Sequence, residues 1–168
     1  MNGVGGSANV AAFGDTIWVA ATLALTLTLL LIARADLRSF RIPDALSLPL
    51  LVAGLVLASI LPELDRQATV PVDHLIGAAA AFLLFALLGE VVYRRTGQEA
   101  LGLGDAKLFG ASGAWLGWQA LPLVLLIASV GGLGFALIER RRTGGSAIAF
   151  GPWIAVGFLA VWLLSALR

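Results

Sequence analysis

The sequence predicts an all-α bundle that crosses a membrane about six times, and three observations predict it. Of 168 residues, 60% are hydrophobic and 12% charged, where a soluble domain carries about 25% charged and about 45–50% apolar residues. Several apolar runs approach the ~20 residues that cross a bilayer as a helix rising ~1.5 Å per residue. The basic residues fall at the ends of those runs. One polytopic bundle over residues 1–168 is the economical domain organisation.

Taken in order, the first span is predicted over about 16–34, rich in Leu, Thr and Ala and ending at Arg34. The fifteen residues before it contain no Lys or Arg, whereas a secretory signal needs a positive start and a shorter apolar core, so the run reads as a retained span. The second covers about 45–61, between Pro43-Asp44 and Pro62-Glu63, and the third about 74–92, closed by the interfacial anchor Tyr93-Arg94-Arg95. The fourth, about 105–117, is short for a bilayer, which tilt or locally thinned lipid would accommodate. The fifth covers about 120–138 and stops at Glu139-Arg140-Arg141-Arg142. The sixth opens at Phe150-Gly151-Pro152, where proline suits a first helical turn. Gly113 and Gly117, and the small residues from Ala128 to Gly134, suit close helix packing in lipid. Leu61–Asp73 reads as an outer loop and Gly144-Gly145-Ser146 as a turn.

Charge sets the orientation. Arg34, Arg38 and Arg41 lie between spans one and two, Arg94, Arg95 and Lys107 between three and four, and Arg140, Arg141 and Arg142 between five and six. Only Arg66 and Arg168 fall on the other side. The positive-inside rule makes the rich loops cytoplasmic and puts both termini outside. It also places Asp36 and Asp105 on the cytoplasmic side and His74 outside.

Composition excludes several chemistries. A net charge of +1 with no basic surface argues against a nucleic-acid partner. Without cysteine there is no disulfide, thiolate nucleophile or Cys-based zinc site, and a single histidine excludes a multi-His metal cluster. No metal or other cofactor is expected.

What remains is a pair of acids. Asp105 follows two glycines in Leu101-Gly102-Leu103-Gly104-Asp105, at the mouth of an apolar run, and Asp36 stands at the polar end of another. Taken alone, each also reads as a cap or an interfacial charge: Asp105 has an N-cap's position, while Asp36 faces the negative end of its own helix. As a pair they suit hydrolysis, one acid holding a proton while the other activates water, since adjacent like charges push their pKa values apart. Gly102 and Gly104 would let an extended substrate lie against the backbone. Asp44, after Pro43, reads as an N-cap, Lys107 as a headgroup contact or a cap for another loop, and Glu90 as an i,i+4 partner of Arg94.

Three stretches carry a resemblance: Asp36-Leu37-Arg38-Ser39-Phe40-Arg41-Ile42-Pro43-Asp44 continuing to Pro49, Gly102-x-Gly104-Asp105 with Lys107 after it, and Phe150-Gly151-Pro152. Together, in this order, they resemble the aspartic prepilin peptidases, membrane proteases that mature type IV pilins and related secretion pseudopilins. The resemblance implies catalytic roles for Asp36 and Asp105 but not for Asp44. It also implies a helical bundle in the inner membrane, and prepilin or pseudopilin substrates whose basic leader is cut from the cytoplasmic side. A homo-oligomer is compatible with it.

Larger members carry a cytoplasmic insertion with paired cysteines and methylate the new N-terminus. This sequence has no cysteine and so resembles the short, protease-only form associated with tight-adherence pili, with no methyltransferase activity expected. Ala149 stands where members commonly have proline before Phe-Gly-Pro. Within proteases, the Gly-x-Gly-Asp motif is shared with preflagellin and presenilin-like peptidases, the latter usually with Tyr before the first acid where this chain has Ala35. From other classes come a small ion-coupled permease, whose acids would sit at the midplane, and a structural subunit that needs no acid pair.

Overall fold

The computed structural model describes residues 4–60, 69–97, 102–143 and 149–167. Six helices follow one another: α1 Val4–Ser39, α2 Asp44–Ile60, α3 Pro71–Thr96, α4 Leu103–Leu116, α5 Leu121–Thr143 and α6 Gly151–Ser165, with a 3-10 turn at Trp118–Ala120 between α4 and α5. No strand occurs among the described residues. Gly14–Ser39, Pro71–Thr96 and Trp118–Arg141 are long and apolar enough to cross a membrane, and α2 and α6 are shorter apolar helices. The chain is a multi-pass membrane protein. The glycine-rich turn at 144–146 and the outer-loop residues 61–68 lie outside the described residues.

Prolines and glycines set the helix ends. The Pro43 carbonyl accepts hydrogen bonds from the N–H groups of Leu46 and Ser47, so α2 starts directly behind it. Pro71 occupies the first turn of α3, where its missing N–H costs nothing. That helix stops at Gly97, whose φ of 68° is the left-handed conformation that ends many helices and whose N–H reaches back to the Tyr93 carbonyl at 2.8 Å. Arg94 and Arg95 in its last turn face the negative end of the helix dipole.

α4 is the central element. Ala106 and every residue from Leu108 to Gly117 are buried, and the helix packs on α2, α3 and α6. A helix that is apolar all round belongs inside a bundle. With 14 residues it spans about 21 Å at ~1.5 Å per residue, and its walls are protein. It meets α3 at a crossing of two glycines. A Cβ on Gly113 would overlap the Gly77 carbonyl, and one on Gly77 would come within 2.8 Å of the Gly113 oxygen. Trp115 fastens the other side, its indole N–H donating to the Leu50 carbonyl at 2.8 Å and its ring meeting Trp162 edge-on.

The helices alternate in direction. The C-terminal ends of α1 and α3 meet the N-terminal ends of α2 and α4 around one cavity, and α6 starts beside the end of α1. At the opposite end His74 is buried, with Nδ1 3.0 Å from the Ala114 carbonyl and Nε2 2.7 Å from the Thr69 hydroxyl. A carbonyl only accepts, so Nδ1 carries a hydrogen, and this histidine ties α3 to α4 far from the acids.

Candidate active site

Asp36 lies in the last turn of α1 and is only 5% exposed. Its own helix end presents carbonyl oxygens, which repel a carboxylate. The compensating donor comes from α6, where the Gly151 N–H donates to Asp36 Oδ2 at 3.0 Å. The first N–H groups of a helix have no partner within it, so α6 has a donor free to give. Position 151 must be glycine for this approach, because a Cβ there would sit 2.7 Å from Asp36 Oδ2 and 2.9 Å from Ile42 Cδ1.

Asp105 is the third residue of α4, not its N-cap. The cap is Gly102, whose N–H donates to Asp105 Oδ2 at 3.3 Å, so the carboxylate reaches back over the helix start as an acidic third residue often does. The cap-like role read from the sequence and a place at the site thus coexist in one side chain. Asp105 and Asp36 line the same cavity, of about 760 Å³, and Asp105 lies within the electrostatic reach of Asp36.

Gly102 and Gly104 also line the cavity, under different constraints. A Cβ on Gly104 would come within 2.9 Å of Ile42 Cβ and 3.4 Å of the Ile42 nitrogen. The close backbone approach there is taken by the protein's own 40–43 link. At Gly102 there is room, since a Cβ would meet only Asp105 Oδ2, at 3.7 Å.

Two neighbours differ from their sequence reading. Asp44 is the first residue of α2 and not its cap. Its Oδ1 accepts from Lys107 Nζ at 2.6 Å, which also gives Lys107 a partner inside the protein. Glu90 pairs with Arg94 as the spacing implied, and it lines the cavity as well. Phe40, Ile42, Phe85 and Tyr93 also contribute to the wall. Of these, Phe40 and Ile42 lie in the first-acid segment, whereas nothing in the sequence marked Phe85. No group of three or more His, Cys, Asp or Glu side chains suited to a metal ion occurs among the described residues.

Two acids thus share one cavity, each held by a backbone N–H. Residues 23–137, which include both, match the type IV leader peptidase family. The chain belongs to that family. This leader peptidase family member is 42% identical over 124 residues to the prepilin leader peptidase/N-methyltransferase of Escherichia coli (strain K12), covering 73% of this chain and 53% of the relative. It is 40% identical over 147 residues to the protein of the same name from Pectobacterium carotovorum subsp. carotovorum, 86% and 50% of the two chains. A third relative so named, from Burkholderia pseudomallei (strain K96243), is 36% identical over 151 residues, 88% and 47%. The chain spans about half the length of the curated relatives it matches. No solved structure matches it.

Proposed function

We propose that this chain is an aspartic endopeptidase that removes the basic leader of type IV prepilins or pseudopilins, with Asp36 and Asp105 as its catalytic pair. The observation that carries the reading is the meeting of these two acids in one cavity, although they come from helices far apart in the sequence. One carboxylate, ionised, takes a proton from water as the water oxygen attacks the scissile carbonyl carbon. The other, protonated, donates to the carbonyl oxygen, and when the carbon–nitrogen bond breaks the leaving amine takes up a proton. Both acids are needed because one acts as base while the other acts as acid. Gly102, where there is room beside Asp105, forms the wall against which an extended substrate lies, while Gly104 admits the 40–43 link.

The same reading has all six helices crossing the bilayer, with the acid end at the cytoplasmic face of the inner membrane. Arg34, Arg38, Arg41, Arg94, Arg95, Lys107 and the Arg140–Arg142 run belong to that end, which the positive-inside rule assigns to the cytoplasm. The position of the acids supports a peptidase over an ion-coupled permease, which would hold its acids at the midplane. On this reading a leader ahead of a membrane-embedded segment would present its scissile bond to acids beside the interface.

The test is incubation of the purified protein in detergent with a prepilin, scored by loss of the leader on a gel. Cleavage is expected to persist in excess chelator, because an acid pair activates water without a metal. No cleavage, or cleavage abolished by chelator and restored by a divalent ion, would overturn the proposal.

A further inference from the structure

We propose that the Asp44–Lys107 ion pair is a positioning clamp, which pins the start of α2 to the second turn of α4 and thereby sets the separation of Asp36 and Asp105. The catalytic consequence rests on the peptidase reading above; the positional one does not.

The link from α1 to α2 is short and holds an uncommon conformation. Phe40 has a φ of 51°, a left-handed position that side-chain-bearing residues rarely adopt and that glycine usually fills at a helix end. Two residues later Ile42, 8% exposed, is wedged between the elements that hold the two acids. On one side is Gly104, next to Asp105, where a Cβ would meet Ile42 Cβ at 2.9 Å. On the other is Gly151, whose N–H binds Asp36 and whose added Cβ would meet Ile42 Cδ1 at 2.9 Å. Ile42 is thus the spacer between the acids, and whatever holds the link in place holds their geometry.

The upstream end of the link is fixed by α1 itself, the Phe40 N–H donating to the Asp36 carbonyl at 2.8 Å. The downstream end is Asp44, and its anchor is Lys107 at 2.6 Å. The lysine side chain is 23% exposed and the aspartate's 59%, so the pair sits at the surface with the lysine the more covered partner. Ion pairs of this exposure add little to global stability. Their geometric effect is larger here, because Lys107 stands two residues beyond Asp105 and transmits any movement of the link to the start of α4.

The absence of cysteine allows a direct measurement. Spin labels are placed through Leu37→Cys and Leu103→Cys, at exposed positions beside the two acids, and the inter-label distance distribution is recorded by pulsed electron paramagnetic resonance. In parallel, kcat and KM are measured for prepilin cleavage by the unlabelled protein. With Lys107→Met the distribution is expected to broaden or shift and kcat to fall about 10–100-fold with KM nearly unchanged, as for displaced catalytic groups. The charge-exchanged double variant Asp44→Lys/Lys107→Asp is expected to restore both the distribution and most of kcat. Where Lys107→Met does not accumulate, Asp44→Ala breaks the same pair from its exposed side.

An unchanged distribution in the broken-pair variant, or no restoration by the exchange, would overturn the clamp. So would a raised KM with kcat retained, which would make Lys107 a substrate contact. Failure of the unmutated protein to cleave any prepilin would overturn the peptidase reading, while the distance measurement would still decide the clamp.

Discussion

Asp36 stands at the end of α1 that disfavours a carboxylate, and it is buried there. The Gly151 N–H offsets this from the start of α6, so Gly151→Ala is a sharp probe. Its Cβ would come within 2.7 Å of Asp36 Oδ2 and force the acid out of register, with an expected loss of about 10-fold or more in leader cleavage. The bundle should survive, as circular dichroism and the thermal midpoint would report. Unimpaired cleavage would show that the contact is dispensable. Asp36 and Asp105 could be singled out in the sequence as candidates because each sits where an acid is hard to explain otherwise, or beside a motif. Gly151 was legible only as part of a helix start. A backbone N–H that serves a carboxylate 115 positions away leaves no mark on the residue that owns it. Asp44 and Lys107 were misjudged for a related reason, since local rules describe caps and headgroup contacts but not a partner on another helix.

At the scale of elements, the order of the six helices and the limits of α2 to α6, to within a few residues, followed from apolar runs and their proline, glycine and arginine boundaries, whereas α1 extends beyond the predicted 16–34 at both ends, from Val4 to Ser39. The surroundings of α4 did not follow, because a short apolar run looks the same whether lipid or protein encloses it. The structure answers through packing, and the α3–α4 crossing tests it. Gly113→Ala would drive a Cβ into the Gly77 carbonyl, backbone that cannot rotate away. Overpacking of this kind is expected to cost about 1–3 kcal/mol. Gly134→Ala on α5, where an added Cβ meets nothing within 4 Å, should leave stability unchanged or slightly raised. Thermal unfolding of both variants in detergent makes the comparison. Equal midpoints would contradict the close crossing. The sequence marked Gly113 as a packing glycine, but not Gly77 as the surface it packs on.

For the whole molecule, the proposed face of substrate entry rests on the placement of basic residues. Single cysteines introduced as Arg41→Cys and Val70→Cys lie at exposed positions near opposite ends of the bundle. An impermeant thiol reagent applied to intact cells should label position 70 and spare 41. The reverse pattern would place the acids outside and remove the proposed route of leader entry. The helical bundle was legible because hydrophobicity acts additively along the chain. The cavity was not, since it exists only where four helix ends and the 40–43 link converge. The central claim is that Asp36 and Asp105 work as one catalytic unit, and cleavage of a prepilin by Asp36→Asn, Asp105→Asn and the double variant, at matched expression, tests it most directly. Asparagine keeps the size and the hydrogen-bonding oxygen but cannot exchange a proton. The account predicts loss of leader removal in each single variant, with the double variant no worse than either; full processing by Asp36→Asn or by Asp105→Asn would contradict it.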